Sequence, residues 1–326
     1  MKESHSPTII IAEAGINHNG DMDIARKLIE AAHYAGADYI KFQSYVPEKL
    51  YIKSDPGYEE CKKWHLTFDQ QAELKKYCDE VGIKFLSTPF DEESVDFLCE
   101  LGVDYLKIPS GEMTNLPLLE YIVEKKKPVI LSTGAATHDE IVDAVVLLGT
   151  KPELPVIMHC VSLYPAPYNA LNLRFIHTLQ HTFVDYPIGY SDHSIGGRAA
   201  IVAVARGAVM IEKHITLDRT MDGPDHESSM EPGQFAKLVK KIRETEEVLG
   251  DWWKDISEAE LAARDQARRS IVTSRPIEEG ERFTLDNLAT KRPGTGISPM
   301  EINDVIGKVA TRHILADTIL TWSMIT

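Results

Sequence analysis

Residues Tyr186 to Met230 read YPIGYSDHSIGGRAAIVAVARGAVMIEKHITLDRTMDGPDHESSM, and the order of patterns in this stretch decides the fold. Two short apolar runs, PIGY and AVMIE, each lead to a histidine, His193 and His214. Between them, Gly196 to Arg206 opens on glycine and then repeats Ala and Val at helical spacing. Strand, loop, helix, strand is a parallel unit, and parallel strands place their C-terminal ends on one rim. Two imidazoles should therefore emerge side by side, followed by an acidic Gly-Pro-Asp-His-Glu loop. Nitrogen ligands on rigid strands, carboxylates nearby and no thiolates fit an open metal site. A hydrogen-bonded structural role for both rings is the alternative, and this stretch alone leaves the two readings about level.

Working outward, the same strand–helix period fills most of the chain. Short β-rich runs occur at Thr8 to Glu13, Tyr39 to Gln43, Lys84 to Thr88, Tyr105 to Ile108, Val129 to Ser132 and Val156 to Cys160. Ile188 to Tyr190 and Val209 to Glu212 complete the set. Amphipathic stretches separate them, among them Asp21 to Ala35, with Ile24, Leu28, Ile29 and Ala32 along one face, and Gln234 to Leu249. Eight β/α units in about 250 residues predict an α/β fold of the closed (β/α)₈ TIM-barrel type. An open doubly wound sheet is the runner-up, but no GxGxxG follows the first strand. The barrel domain is expected over residues 1–255. A charged helical linker, SEAELAARDQARR, falls within 256–269, and a small β-rich module follows over 270–326.

The chain has 326 residues, 43% of them hydrophobic and 26% charged, with a formal charge of −15. That balance argues against nucleic acid as a partner, while local lysines can still hold a small anion. No apolar run is long enough to span a bilayer, and the N-terminus lacks a signal-peptide core. Cys61, Cys78, Cys99 and Cys160 show no paired spacing, which suggests reduced thiols in a cytoplasmic protein.

Barrel enzymes carry their chemistry at strand C-termini and in the loops that follow. Those positions here hold Glu13, Asn17 and His18; Lys41 and Gln43; Thr88; Lys107, Ser110 and Glu112; Ser132 and Thr133; His159, Ser162 and Tyr164; Ser191 and His193; and His214. Polar residues at every strand end are hard to reconcile with a purely structural rim. Lys41 and Lys107, with Thr88, Ser110 and Ser132, read as a cradle for a phosphate or carboxylate. Glu13 and Glu112 are candidates for proton transfer or for gripping sugar hydroxyls. The long insertion from Ser44 to Leu66 reads as a lid or a mobile flap.

With these motifs laid out, the chain resembles the sialic acid synthase (N-acetylneuraminate synthase) family, phosphoenolpyruvate-dependent synthases of nine-carbon acidic sugars. The matching blocks are IIAEAGINHNG, AGADYIKFQ, FLSTPFD, LKIPSGE, VILSTG, MHCVSLYPAP, IGYSDHS, IEKHIT, GPDHESSM and KRPGTGI. They run in order over nearly the whole chain. The resemblance implies a TIM barrel joined to an antifreeze-like (SAF) domain, commonly as a domain-swapped homodimer. It implies a divalent metal held by His193 and His214, usually manganese, with magnesium or cobalt as alternatives. By the same resemblance, Lys41, Thr88, Lys107, Ser110, Ser132, Ser162 and Ser191 match phosphoenolpyruvate contacts. Gln43, Glu112, Tyr164 and Asp225 match sugar contacts, Glu13 a carboxylate that activates water, and Arg292 an arginine contributed to the partner's active site. Ser162 stands where some members carry Asn. The implied reaction is a C–C bond-forming transfer onto an N-acyl hexosamine such as N-acetylmannosamine or a diacetamido-trideoxyhexose. Rival readings are a 3-deoxy-sugar-acid synthase, a Schiff-base aldolase using Lys41, Lys107 or Lys213, and a polysaccharide-binding protein without catalysis.

Overall fold

A computed structural model describes residues 6–150, 153–251 and 253–326, which divide into two compact units, one ending at Gly250 and one spanning Asp251–Thr326. The first holds eight parallel strands: β1 (Ile9–Gly15), β2 (Tyr39–Ser44), β3 (Lys84–Pro89), β4 (Leu106–Ile108), β5 (Val129–Ser132), β6 (Val156–Cys160), β7 (Ile188–Asp192) and β8 (Met210–His214). Hydrogen-bonded neighbours run β3-β2-β1-β8-β7-β6-β5-β4, and β3 and β4, at the two ends of that order, lie against each other. The sheet is a closed barrel of the TIM type.

A helix follows each strand, at Met22–Tyr34, Phe68–Val81, Glu92–Leu101, Leu116–Glu124, His138–Leu148, Phe175–Thr182, Arg198–Ala205 and Pro232–Leu249. Local chemistry sets several of their starts. Asp21 accepts from the amides of Asp23 and Ile24, and Thr67 and Thr137 form capping boxes with Gln70 and Glu140. Gly82 and Gly102 close two helices in the left-handed region.

Strand alternation then sorts the side chains into two sets. Ile10, Ala12, Ile40, Phe42, Leu106, Leu131, Ile157, Tyr190 and Ile211 pack outward with the helix layer. Ile11, Tyr39, Leu86, Ile130, Val156, Met158 and Met210 form a separate apolar cluster inside the barrel. Two residues further along the strands, the same inward parity reaches Glu13, Lys41, Thr88, Ser132, Cys160 and Glu212. The barrel is therefore apolar in its lower layer and charged in the layer above.

The observed elements shift some expected boundaries. β1 runs on to Gly15 and β8 to His214, because each strand stays paired with its neighbour to the rim. The Ser44-to-Leu66 insertion, expected as a lid or a mobile flap, has secondary structure of its own. It folds as short helices at Pro47–Leu50 and Pro56–Trp64, buries Tyr58, Cys61 and Leu66, and is pinned by a hydrogen bond from the Tyr45 hydroxyl to the Cys61 carbonyl at 2.9 Å.

The second unit begins with a helix at Glu258–Ala267 and carries an antiparallel pair, β9 (Ser270–Thr273) and β10 (Leu288–Lys291). Single bridges from Ile319, Ile314 and Ile325 extend the β character. Ile271, Ile277, Phe283, Val305, Ile314 and Leu320 give it a core of its own.

Candidate active site

Four charged side chains meet in the layer above the apolar cluster, all but fully buried. Glu13 pairs in register with Lys41 on β2 and with His214 on β8, so these three start side by side. The Lys41 ammonium lies 2.7 Å from Glu212 Oε2 and 3.4 Å from Glu13 Oε2. Lys107 enters from the opposite wall, 3.7 Å from Glu212 Oε1, and donates to Ser132 Oγ at 2.7 Å. Ser191 donates to Glu212 Oε1 at 3.0 Å. Glu212 is thus the anchor of the cluster.

Burial sets the charge state. Burial pushes Glu212 up, but Lys107 and Lys41 together outweigh it and hold this carboxyl well below the usual range. Burial dominates at Glu13, beating the pull of Lys41, and with repulsion from Glu212 raises its pKa to about 8. Lys107 is brought down to about 8, mainly by desolvation. At Lys41 desolvation is offset by Glu13 and Glu212, and the net shift is upward. Among these four groups two lysines therefore face one ionised carboxylate at neutral pH, with Asp225, raised to about 6 by desolvation, as the next carboxylate above them. An anionic ligand relieves the imbalance among the four.

A pocket for its oxygens lies beside Lys107. A Cβ built on Gly134 would sit 2.2 Å from Ser162 Oγ, 2.8 Å from Ser110 Oγ and 3.1 Å from Cys160 Sγ, and the Gly134 amide donates to Ser110 Oγ at 2.9 Å. Glycine here leaves room for hydroxyls and a backbone N–H to converge. Thr88 is buried at the end of β3, paired in register with Gln43.

The two histidines stand on the rim above. Asp192 and Lys213 are direct partners on β7 and β8, so His193 and His214 follow one residue later on adjacent chains. Their ring centroids are 5.3 Å apart, close to the spacing of neighbouring strands. His193 Nδ1 lies 2.8 Å from the Val161 carbonyl, which makes that nitrogen the donor and leaves the lone pair on Nε2. Desolvation lowers both imidazole pKa values, so both rings are neutral and able to ligate. His214 Nδ1 is buried with no hydrogen-bond partner, 3.6 Å from Asp225 Oδ2; with the ring neutral this is not an ion pair. Among the described residues no three His, Cys, Asp or Glu side chains converge to hold a metal ion. Two neutral imidazoles, one with an orphaned nitrogen, nevertheless suit a divalent ion whose remaining positions stay open to ligand oxygens.

The Tyr164 and His193 rings lie tilted against each other with centroids 4.0 Å apart, and Tyr164 and His214 meet edge to face at 5.6 Å. A bulge in β1 between Glu13 and Gly15 brings further groups inward. A Cβ on Gly15 would lie 3.2 Å from Glu13 Oε1, 3.5 Å from Asp225 Oδ2 and 3.7 Å from Gln43 Nε2. Asn17 steadies this corner by donating to the Ile215 carbonyl and to Ser229 Oγ, while Ser229 in turn donates to the Asp225 carbonyl at 2.6 Å.

Other candidates fall elsewhere. Glu112 is half-buried and accepts from Asn115 Nδ2 at 2.6 Å, making no hydrogen bond or ion pair with another expected site residue. His159 has outward parity and bonds the Leu171 carbonyl, His18 bonds the Gly20 amide, and Thr133 donates to the Met158 carbonyl. Each of those three is hydrogen-bonded to the backbone. Lys213 also points outward, held by Asp192. Arg292 is exposed on the second unit, just past β10. Glu212 and Cys160 were missed as site residues. Their parity with His214 and Met158 was the signal that could have found them.

Comparison with known proteins places this geometry in context. The NeuB family matches residues 28–254 and the SAF domain matches residues 268–326. The chain is 42% identical to N,N'-diacetyllegionaminic acid synthase of Campylobacter jejuni, covering 96% of this chain and 98% of that one. It is 38% identical to human N-acetylneuraminate-9-phosphate synthase, over 93% of this chain and 88% of the relative. Among solved structures, a putative spore coat polysaccharide biosynthesis protein E from Chromobacterium violaceum superposes with a TM-score of 0.89 at 30% identity, covering 98% and 99% of the two chains.

Proposed function

We propose, because this chain belongs to the NeuB family, the sialic acid synthases, that it condenses phosphoenolpyruvate with an N-acyl hexosamine to give a nonulosonic acid and phosphate. The aldose is N-acetylmannosamine or a diacetamido-trideoxyhexose, and similarity to a diacetyllegionaminic acid synthase favours the second. One observation carries the reading: two buried lysines share the ionised Glu212 carboxylate beneath a pair of neutral imidazoles.

In this reading Lys41 and Lys107 hold the anionic substrate as its charge shifts, with Ser132, Ser191 and the Gly134 cradle fixing its oxygens. Thr88 lies on the same wall. His193 and His214 would hold the divalent ion, manganese in our reading, whose chemistry when bound is Lewis-acid polarisation of a carbonyl oxygen. Tyr164, Gln43 and Asp225 line the upper site and orient the sugar. A new bond forms between carbon 3 of phosphoenolpyruvate and the aldehyde carbon, water adds at carbon 2, and phosphate departs. Glu13, poised at about 8, can pass a proton to or from that water. Glu112 is proposed to accept from a sugar hydroxyl through Oε1 while Asn115 holds its Oε2, and Arg292 is proposed as a sugar contact.

The test is phosphate release with each substrate alone and with both together. Release that requires both, ceases on EDTA treatment, returns with Mn²⁺ and is abolished in His214→Ala supports the reading. Full turnover in metal-stripped buffer, or borohydride trapping of pyruvate on a lysine, would discard it.

A further inference from the structure

On the outer face of the barrel, Lys213 and Asp192 form an ion pair that is 1% and 0% exposed, away from the substrate cavity. The Lys213 ammonium donates to Asp192 Oδ2 at 2.9 Å, to the Ser194 carbonyl at 2.6 Å and, more weakly, to the Asp192 carbonyl at 3.4 Å. The second oxygen of Asp192 accepts from the Ser194 amide at 2.9 Å and from the Tyr190 hydroxyl at 3.2 Å. Every partner thus lies immediately before or after His193, apart from Tyr190 on the same strand. Lys213 itself immediately precedes His214.

We propose that Lys213 and Asp192 are positioning residues that set the separation and aim of the two imidazoles, and so tune the affinity of that pair for a divalent cation. The ladder between β7 and β8 ends at Asp192 and Lys213, and beyond it the two segments are tied to other neighbours rather than to each other, the His193 carbonyl accepting from the Ala166 amide and the His214 carbonyl from the Met230 amide. Here one ammonium clasps the backbone carbonyls on both sides of His193 while its own Cα fixes the base of His214. A hydrophobic pair of equal volume would pack as well or better. It would not grip three acceptors around a turning backbone. Outer groups of this kind commonly change metal affinity about 10- to 100-fold when removed.

The inference rests on His193 and His214 binding metal, and the experiment separates the two ideas. Mn²⁺ affinity is measured by electron paramagnetic resonance on the full chain, beside metal-free phosphoenolpyruvate affinity by calorimetry and folding by circular dichroism. In Lys213→Met/Asp192→Asn, which removes both charges together, Mn²⁺ should bind at least about tenfold more weakly. Phosphoenolpyruvate affinity should stay within about twofold, a split that general loosening of the barrel would not give. Should the double variant fail to fold, Lys213→Arg decides on the same two readouts. It keeps the charge but cannot present one nitrogen to all three acceptors. Unchanged Mn²⁺ affinity in a folded variant, or an equal loss of phosphoenolpyruvate affinity, overturns the positioning role. Mn²⁺ binding that survives intact in His214→Ala overturns the metal reading itself, and the positioning role with it.

Discussion

Glu13 and Glu212 face the same lysines from neighbouring strands, yet the barrel holds them in opposite protonation states. The difference is the partner count. Glu212 has an ammonium on each oxygen, whereas Glu13 has a share of one. The raised pKa of Glu13 gives a pH test. Unfolded, its carboxyl loses the proton near 4.5; folded, it keeps it to about 8. Its contribution to stability is therefore complete below about 4.5 and is lost as pH rises to about 8. Glu13→Gln cannot ionise, so its melting temperature should gain steadily on the parent's from pH 5 to about pH 8. Parallel melting curves across that range would contradict the assignment. At this scale the sequence showed the histidines, because each follows an apolar run, and the lysines, because each falls near the C-terminal end of a strand. Glu212 closes the run AVMIE just before His214, and only its shared parity with that histidine marks it as facing the site.

Loops between elements shape the pocket as much as the strands do. Gly134→Ala would drive a methyl group against the hydroxyls of Ser162 and Ser110. Both are ends of small side chains that can swing aside, so the fold should survive. The cradle should not, and the KM for phosphoenolpyruvate should rise about tenfold or more, equivalent to about 1.4 kcal/mol. Steady-state kinetics with an unchanged unfolding midpoint would show this; an unchanged KM would remove Gly134 from the site. Strand existence was legible from short, continuous apolar runs separated by helical ones, as strands buried on both faces require. Boundaries were less so, since pairing with a neighbour carries β1 and β8 past their apolar runs. The Ser44-to-Leu66 insertion, read as a lid or a mobile flap from its length and its Pro, Tyr, Trp and Gly, holds two short helices that this reading did not place, with Tyr58, Cys61 and Leu66 packed down.

For the whole molecule, the two units have separate apolar cores. A chain ended after Gly250 should therefore keep the barrel's cooperative thermal transition, followed by far-ultraviolet circular dichroism. Arg292 is proposed to reach the amino sugar in the partner's active site. Arg292→Ala should raise the KM of the amino sugar and leave that of phosphoenolpyruvate within about twofold. Equal effects on both, or none, would remove it. We also propose a homodimer, which the family resemblance implies, and sedimentation equilibrium should give twice the chain mass.

The surplus of ammonium over carboxylate among those four buried groups of the barrel has a practical reach beyond turnover. A protein that is negative overall, at −15, is at its waist short of a counter-ion. Buffers are not innocent toward such a molecule. Sulfate, phosphate or a small di-acid carried through purification would settle there, harden the preparation against heat, and compete unseen with the natural substrate in every assay that follows.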